Sequence, residues 1–186
     1  MNIKQIIDNY IDNEIEVEYY NDDISINIIN KFEKEVEVKL PDDYINFALS
    51  NNFPISIFVK DEIWEEPSCG DLGPAWTFNR GLFFNSFSKN IHEDFYIPDL
   101  SREFNTESEL NTIVFMNYSS DQSPFCFKEN GKIYQFSSSG YELCEYEESF
   151  IDFFTNEIRD LVIRKNEYKK WKVDKSITAP LSVRYL

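Results

Sequence analysis

The chain has 186 residues, of which 42% are hydrophobic and 17% aromatic, and this apolar content excludes an intrinsically disordered acidic protein. Its formal net charge of −16 comes from 34 acidic and 18 basic residues, a balance that repels nucleic-acid phosphates and anionic lipid. We therefore expect a folded protein that binds neither nucleic acid nor a membrane.

The start of the chain and its cysteines indicate a compartment. Asp8, Asp12 and Glu14 fall where a secretory signal would need an apolar stretch, and no uncharged apolar run of roughly 18 residues follows. The three cysteines are an odd number without metal-ligand spacing, so we expect free thiols in a reducing compartment. The sequence therefore predicts a cytoplasmic protein.

The chain begins with helical signals. Apolar residues recur at helical spacing from Ile3 to Ile11, and the alternating stretch 14–19 predicts a short strand after this first helix. Ser25 is a suitable N-cap for a second helix, which should end near residues 36–38.

A third helix is predicted to open at Leu40-Pro41, because proline suits a first helical position. Asn51-Asn52 and the following proline should end it. The residues of the second and third helices that we expect to face inward are Ile28, Ile29, Phe32, Tyr44, Phe47 and Ala48. Those of the second helix expected to face outward are Lys31, Glu33, Lys34 and Glu35.

The middle of the chain changes character. The runs 55–59, 75–78 and 82–84 are rich in β-branched and aromatic residues and are separated by glycine and proline, which predicts short strands. The stretch 87–111 is polar and acidic without a sustained period, so we expect a surface excursion with a helical turn or two.

The last third predicts an antiparallel meander followed by a helix. The run 112–118 is apolar on both alternating sets, as in a strand buried on both faces, and Asn130-Gly131 predicts a hairpin between its flanking strands. A further strand is expected at 141–146, after which Ser149 and Asp152 form an acidic capping box. The final helix should bury Phe150, Phe154, Ile158, Leu161 and Val162, and its last turns carry Lys165, Lys169, Lys170 and Lys172.

This order of elements predicts an α+β two-layer domain with N-terminal helices, a central, mainly antiparallel sheet and a C-terminal helix. We expect one domain over residues 1–172, with a variable excursion at about 87–111 and a C-terminal tail at 173–186.

Charge is spread unevenly along the chain. Residues 1–66 contain 16 acidic and 5 basic residues and residues 67–156 contain 14 and 5, whereas residues 157–186 contain 4 and 8. The basic excess at the end is explained by lysines that complement the negative end of a helix dipole. The acidic remainder either keeps an aromatic-rich protein in solution or attracts cationic proteins.

The order of these signals resembles the SUKH superfamily. One hallmark of that superfamily is a helix leading into Leu40-Pro41 and a second helix, here residues 28–52. Another is a strand, an Asn-Gly hairpin, a strand and a helix beginning Ser-Phe-x-x-Phe-Phe, matched here in order up to Ser149–Phe154. The resemblance covers residues 24 to 163, and the Asn-Gly-Gly that often follows the second helix is replaced by residues 51–53.

The resemblance implies a bacterial immunity protein that binds and blocks a cognate toxin, often a nuclease or deaminase, without catalytic residues or a cofactor. The partner expected from the charge is a toxin with a basic surface, and a monomer is favoured over an oligomer. Because fungal relatives act in cell-wall regulation, the alternative is a regulatory or scaffold protein that binds a signalling or cell-wall partner. A third alternative, an unrecognised carboxylate hydrolase, requires two carboxylates facing each other across a closed cleft.

Few residues in the chain suit catalysis. His92 is the only histidine, which excludes multi-histidine metal sites, and its polar segment indicates a surface residue rather than the base of a Ser-His pair. No phosphate-loop pattern is present. We expect Cys126 and Cys144 to pack as small hydrophobes in strands and Cys69 to have a structural role. We therefore predict no catalytic residue, no metal site and no cofactor.

The segment 61–76 is the one turn-rich stretch where aromatic and acidic residues interleave. A rigid aromatic anchor ringed by carboxylates suits recognition of a basic protein surface. The alternative is that both tryptophans lie in the core and the acids only solubilise the protein. The residues predicted to bind a partner are Asp61, Glu62, Trp64, Glu65, Glu66, Asp71 and Trp76.

Overall fold

The computed structural model describes residues 3–20, 24–50, 53–65, 79–88, 90, 95–118, 123–137 and 141–174. The helices in these ranges are α1 (Ile3–Tyr10), α2 (Ile26–Val36), α3 (Asp42–Ala48), α4 (Ile97–Ser108) and α5 (Phe150–Val173). The strands are β1 (Ile15–Tyr20), β2 (Phe53–Val59), β3 (Gly81–Phe84), β4 (Ile113–Tyr118), β5 (Phe125–Phe127), β6 (Ile133–Phe136) and β7 (Glu142–Tyr146). The strand expected at 75–78 and the tail beyond Asp174 lie outside the described residues.

The seven strands form one sheet whose spatial order is their order in the chain. Every neighbouring pair is antiparallel, from Ile15 opposite Val59 in β1 and β2 to Ile133 opposite Tyr146 in β6 and β7. Such a meander needs only local connections, as the hairpin signals indicated. The predicted α+β fold is confirmed. None of the helices in the described ranges is long and apolar enough to cross a membrane.

The main core lies between one face of the sheet and the helices α1, α2, α3 and α5. Its centre is aromatic: the Tyr44 ring lies 4.8 Å from Phe127 and 5.0 Å from Phe150, measured between ring centroids. Phe47 lies 5.0 Å from Phe150, so rings of α3 and α5 interlock above the sheet. This packing fixes α3 and the first turns of α5 against β4 and β5.

Helix α4 covers part of the opposite face of the sheet, where it packs on a second apolar cluster. Its Phe104 lies 5.9 Å from Phe136 of β6, and the backbone N–H of Val114 donates to Ser101 Oγ at 2.9 Å. The helix has twelve residues and is therefore longer than the one or two helical turns expected from the sequence. Its inward side carries about one apolar or small residue per turn, a stripe too sparse to stand out in the sequence.

Local capping signals were predictive. Ser25 Oγ accepts from the Asn27 N–H at 3.2 Å, and Ser149 Oγ accepts from the Asp152 N–H at 3.2 Å while donating to the Asp152 carboxylate at 2.7 Å. At the predicted hairpin, the Gly131 N–H donates to Lys128 O at 2.8 Å, and Gly131 has a φ of 72°. A glycine is favoured there because its conformation is left-handed.

Helix α2 departs from its expected orientation at two residues. Ile28 is 42% exposed, whereas Glu33 is buried and accepts the Leu40 N–H at 2.7 Å and the Lys39 ammonium at 2.8 Å. Glu37, at the end of the helix, has a φ of 57°, which turns the chain back toward Glu33. The Glu33 carboxylate therefore holds the connection to α3 and does not point to solvent.

Candidate interaction surface

The predicted partner-binding segment begins in a turn that follows β2. The N–H groups of Ile63 and Trp64 both donate to Lys60 O at 2.9 Å, and the Lys60 N–H donates to Glu14 O at 3.0 Å. These bonds form one tight turn and tie it to the start of β1. We call residues 60–65 the acidic turn.

Arg80 lies buried beneath the acidic turn. Its guanidinium donates to Trp64 O at 3.2 Å and to Val59 O at 3.4 Å, forms an ion pair with Asp61, and lies 5.7 Å from the Phe58 ring centroid. The Asp61 side chain is exposed, but its carboxylate already has a cationic partner within the molecule. It contributes less to an external negative field than the sequence suggested.

Trp64 is a core residue. It is 1% exposed and stacks on Tyr168 of α5, with ring centroids 4.4 Å apart and an interplanar angle of 4°. The prediction that Trp64 offers an anchor to a partner is wrong, because the indole is covered by α5. The half-buried rings beside the acidic turn are instead Tyr168 and Trp171, whose centroids lie 5.7 Å apart.

Two predicted acids, Glu62 and Glu65, are exposed on the acidic turn. Burial and the nearby Glu65 carboxylate raise the pKa of Tyr168, so this acid lies close to the aromatic pair. The remaining predicted residues, Glu66, Asp71 and Trp76, lie outside the described residues. Within the described part, the surface consists of the exposed Glu62 and Glu65 on the acidic turn and of Tyr168 and Trp171 on α5.

Sequence reasoning missed Tyr168 and Trp171 although a signal for them existed. Tyr168 lies seven residues after the predicted Leu161 and Trp171 three residues after Tyr168, so both continue the inward stripe of α5. The lysines between them were interpreted only as charges that complement the helix dipole.

The same end of α5 is clamped to the α1–β1 connection by ion pairs. Lys165 is buried and contacts Asp12 and Glu14, the latter at 3.0 Å, and Lys169 also contacts Glu14. Hydrogen bonds from Lys169 and Lys165 hold the pKa of Glu14 below its ordinary value. Of the four lysines expected to complement the helix dipole, Lys165 and Lys169 therefore have specific acidic partners.

Two further acids of α5 are buried and have partners within the core. The Tyr118 hydroxyl donates to Glu157 Oε2 at 2.9 Å, and Arg164 Nε lies 3.3 Å from Asp160 Oδ2 with its guanidinium 5.0 Å from the Tyr118 ring centroid. In the described ranges, no group of three or more His, Cys, Asp and Glu side chains could hold a metal ion.

The two described cysteines are free thiols in different surroundings. Burial raises the pKa of Cys126, which packs as expected beneath α4. Cys144 is exposed, and the expectation that it packs in the core is wrong, because β7 is an edge strand whose faces are uncovered there. Cys69 lies outside the described residues.

A family model for the SMI1/KNR4 family (SUKH-1) matches residues 23–156, well over half of the chain. The chain belongs to the SMI1/KNR4 family. The resemblance drawn from the α2–α3 pair and the hairpin is thereby confirmed. Comparison with curated proteins and with solved structures gives no match.

The SMI1/KNR4 match begins just before α2 and ends in the first turns of α5. Helix α1, strand β1 and the rest of α5 lie outside it. The acidic turn is inside the match, whereas Tyr168 and Trp171 beside it are outside. The candidate surface thus joins a segment inside the match to a part of α5 outside it.

Proposed function

We propose that this SMI1/KNR4-family chain is a non-catalytic immunity protein that binds and neutralises a cognate bacterial toxin with a basic surface. The observation that carries the proposal is the family match over residues 23–156, because the SUKH resemblance implies this role. The protein would act in the cytoplasm of the cell that makes the toxin.

Charge supports a cationic partner. The net charge of −16 gives the protein a negative field that accelerates encounters with a basic protein and slows those with an acidic one. Glu62 and Glu65, exposed beside Tyr168 and Trp171, are proposed to belong to the docking surface. Glu66, Asp71 and Trp76 remain proposed members of the same segment.

Support for binding rather than catalysis comes from the buried acids. A carboxylate that acts as a general acid or base needs access to a substrate. The Glu157 carboxylate instead accepts from Tyr118 in the core, and Asp160 faces Arg164. Both arrangements suit acids that hold α5 on the sheet.

The proposal predicts strongly salt-dependent association with the toxin domain encoded immediately upstream of this chain. Raising the salt concentration from about 0.05 M to about 0.5 M should lower the association rate constant at least about tenfold, because screening removes the steering field. Stopped-flow measurement of complex formation checks this.

Charge reversal tests whether the acidic turn takes part. Glu62→Lys with Glu65→Lys should slow association severalfold, whereas Glu103→Lys with Glu107→Lys, the same charge change on the exposed side of α4, should have a smaller effect. An association rate constant that does not change with salt concentration would contradict the proposal. A gene neighbourhood that encodes no toxin would favour the alternative, a regulatory or scaffold protein.

A further inference from the structure

The last strand of the sheet, β7, is uncovered in a way that its neighbours are not. All described residues of β5 and β6 are buried, whereas residues 142–145 of β7 are exposed on both alternating sets and Tyr146 alone is buried. Within the described ranges, β7 pairs with β6 and its other edge has no strand. Residues 144–146 pair in regular register with 133–135, and a shift at Leu143 precedes the pair Glu142 and Phe136. The other edge of β7 presents backbone donors and acceptors that can pair with an added strand.

Large apolar side chains lie along this edge. Tyr141 is 75% exposed and Leu143 is 52% exposed, and Ile163 of α5, 41% exposed, faces the same region. A groove of about 640 Å³ runs between β7 and the middle of α5, with Tyr146 and Ile163 among the residues of its wall. The wall of the groove includes Cys144, Glu145 and Tyr146 of β7, and Tyr141 and Leu143 precede them in the chain. We call the edge strand, these apolar side chains and the groove the β7 surface.

The β7 surface is acidic. Residues 141–149 contain four glutamates and no basic residue. Lys132 contacts Glu145 and Glu147, the latter at 3.2 Å, and Lys128 lies 3.5 Å from Glu142. Two lysines therefore face three of these four carboxylates, and Arg159 adds one cation in the groove. Asp160 in the same wall already faces Arg164, so the described charges of the surface leave an excess of one negative charge.

This charge selects the occupant. A second copy of the chain pairing through β7 would bring two sets of glutamates together, and like charges facing each other across paired strands destabilise the pairing. A basic strand would instead pair its side chains with these carboxylates. The edge is thus protected against self-association and open to a cationic partner.

We propose that β7 accepts an extended, basic segment of the partner as an added eighth strand, with an apolar side chain of that segment seated in the groove between β7 and α5. The inference rests on the proposed function, whose toxin supplies the segment. Backbone hydrogen bonds between the two strands give affinity. Contacts of the partner's side chains with Leu143 and with the glutamates give selectivity.

The β7 surface and the acidic turn belong to different parts of the sheet. β7 is the last strand, whereas the acidic turn follows β2 and is bonded to the residue before β1, at the other end of the strand order. Ile163 in the groove and Tyr168 beside the turn are five residues apart on α5, so their side chains point about 140° apart around the helix. The added strand is therefore proposed for the β7 surface, and the acidic turn contributes charge that steers the partner.

Substitution of Leu143 tests the proposed contact with the upstream toxin domain. Leu143→Arg should weaken binding at least about thirtyfold, the loss typical of a central contact residue, and should act on the dissociation rate. Ile28→Arg is the matched control, because Ile28 of α2 is 42% exposed and lies away from the β7 surface. It should bind as wild type does. Thermal unfolding checks that both variants are folded.

Amide hydrogen exchange on the wild-type complex gives a result that does not depend on any variant. Amides of residues 142–146 should exchange at least about tenfold more slowly in the complex, whereas those of β1, the other edge strand, should be unchanged. Alkylation of the exposed Cys144 thiol should slow in parallel, with the buried Cys126 unreactive throughout.

The outcomes separate this inference from the proposed function. A complex without protection of β7, or one that Leu143→Arg leaves as tight as wild type, would overturn the inference and leave the immunity role standing. Protection of β7 that rises with protein concentration in the absence of toxin would identify a second copy as the occupant and also overturn it. Failure of the wild-type protein to form any complex would overturn both.

Discussion

Replacing Phe47 with alanine should lower the free energy of unfolding by about 3–5 kcal/mol, one of the largest effects available to a single substitution in this chain. Phe47 is 1% exposed, and its ring centroid lies 4.5 Å from Phe53, 5.0 Å from Phe150 and 5.6 Å from Phe154. The ring contacts side chains of both β2 and α5, so its removal leaves a cavity where three elements meet. Filling that cavity would require these elements to move together.

Chemical denaturation monitored by circular dichroism measures this loss. Phe83→Ala is a suitable control, because Phe83 is half-buried and stacks on Phe95 at 5.9 Å, outside the main core. Its loss should be less than half that of Phe47→Ala. Equal losses would mean that α3 does not hold the centre of the core, contrary to the packing described above.

Replacing Arg164 with methionine should destabilise the protein by about 3–5 kcal/mol, the cost of breaking a buried ion pair from one side. The guanidinium is 1% exposed and lies between the Asp160 carboxylate and the Tyr118 ring. Methionine keeps most of the volume but removes the cation, so the buried Asp160 carboxylate loses the positive charge that faces it.

A second substitution distinguishes charge from packing at this cluster. Arg164→Met combined with Asp160→Leu should recover at least half of the lost stability, since apolar pairs of similar volume often replace buried ion pairs without loss. Arg159→Met on the exposed side of the same helix should change stability by less than about 0.5 kcal/mol. A single Arg164→Met variant as stable as wild type would show that the ion pair contributes nothing.

The parts of the fold that follow from neighbouring residues were predictable from the sequence. Ser25 and Ser149 mark helix starts because their hydroxyls accept from N–H groups two and three residues away. Gly131 marks the hairpin because one position of the turn is left-handed. Tyr44 and Phe47 were placed in the core because helical spacing brings them to one side of α3.

The parts that depend on contacts across the fold were not predictable. Glu33 is buried because a left-handed residue at the end of α2 brings the backbone of Leu40 to its carboxylate, and no helical pattern encodes that return. Trp64 is covered because Tyr168, over a hundred residues later, stacks on it. The sequence around each of these two residues indicates a surface position, whereas the structure buries both of them.

Exposure of β7 depended on topology in the same way. Its sequence has apolar and acidic residues, with Leu143 and Cys144 adjacent, and does not say where in the sheet the strand lies. Its position at the edge follows only from the order of the whole sheet. Cys144, expected in the core, is therefore a surface residue.

Growth protection tests the central claim most directly. The toxin domain encoded immediately upstream should be expressed from an inducible promoter in a bacterial host, with and without this chain. The account predicts that the toxin alone stops growth, that co-expression of wild-type protein restores it, and that protection is lost with Leu143→Arg but retained with Ile28→Arg. If the wild-type protein accumulates in folded form and growth still stops, the protein is not the immunity partner of that toxin.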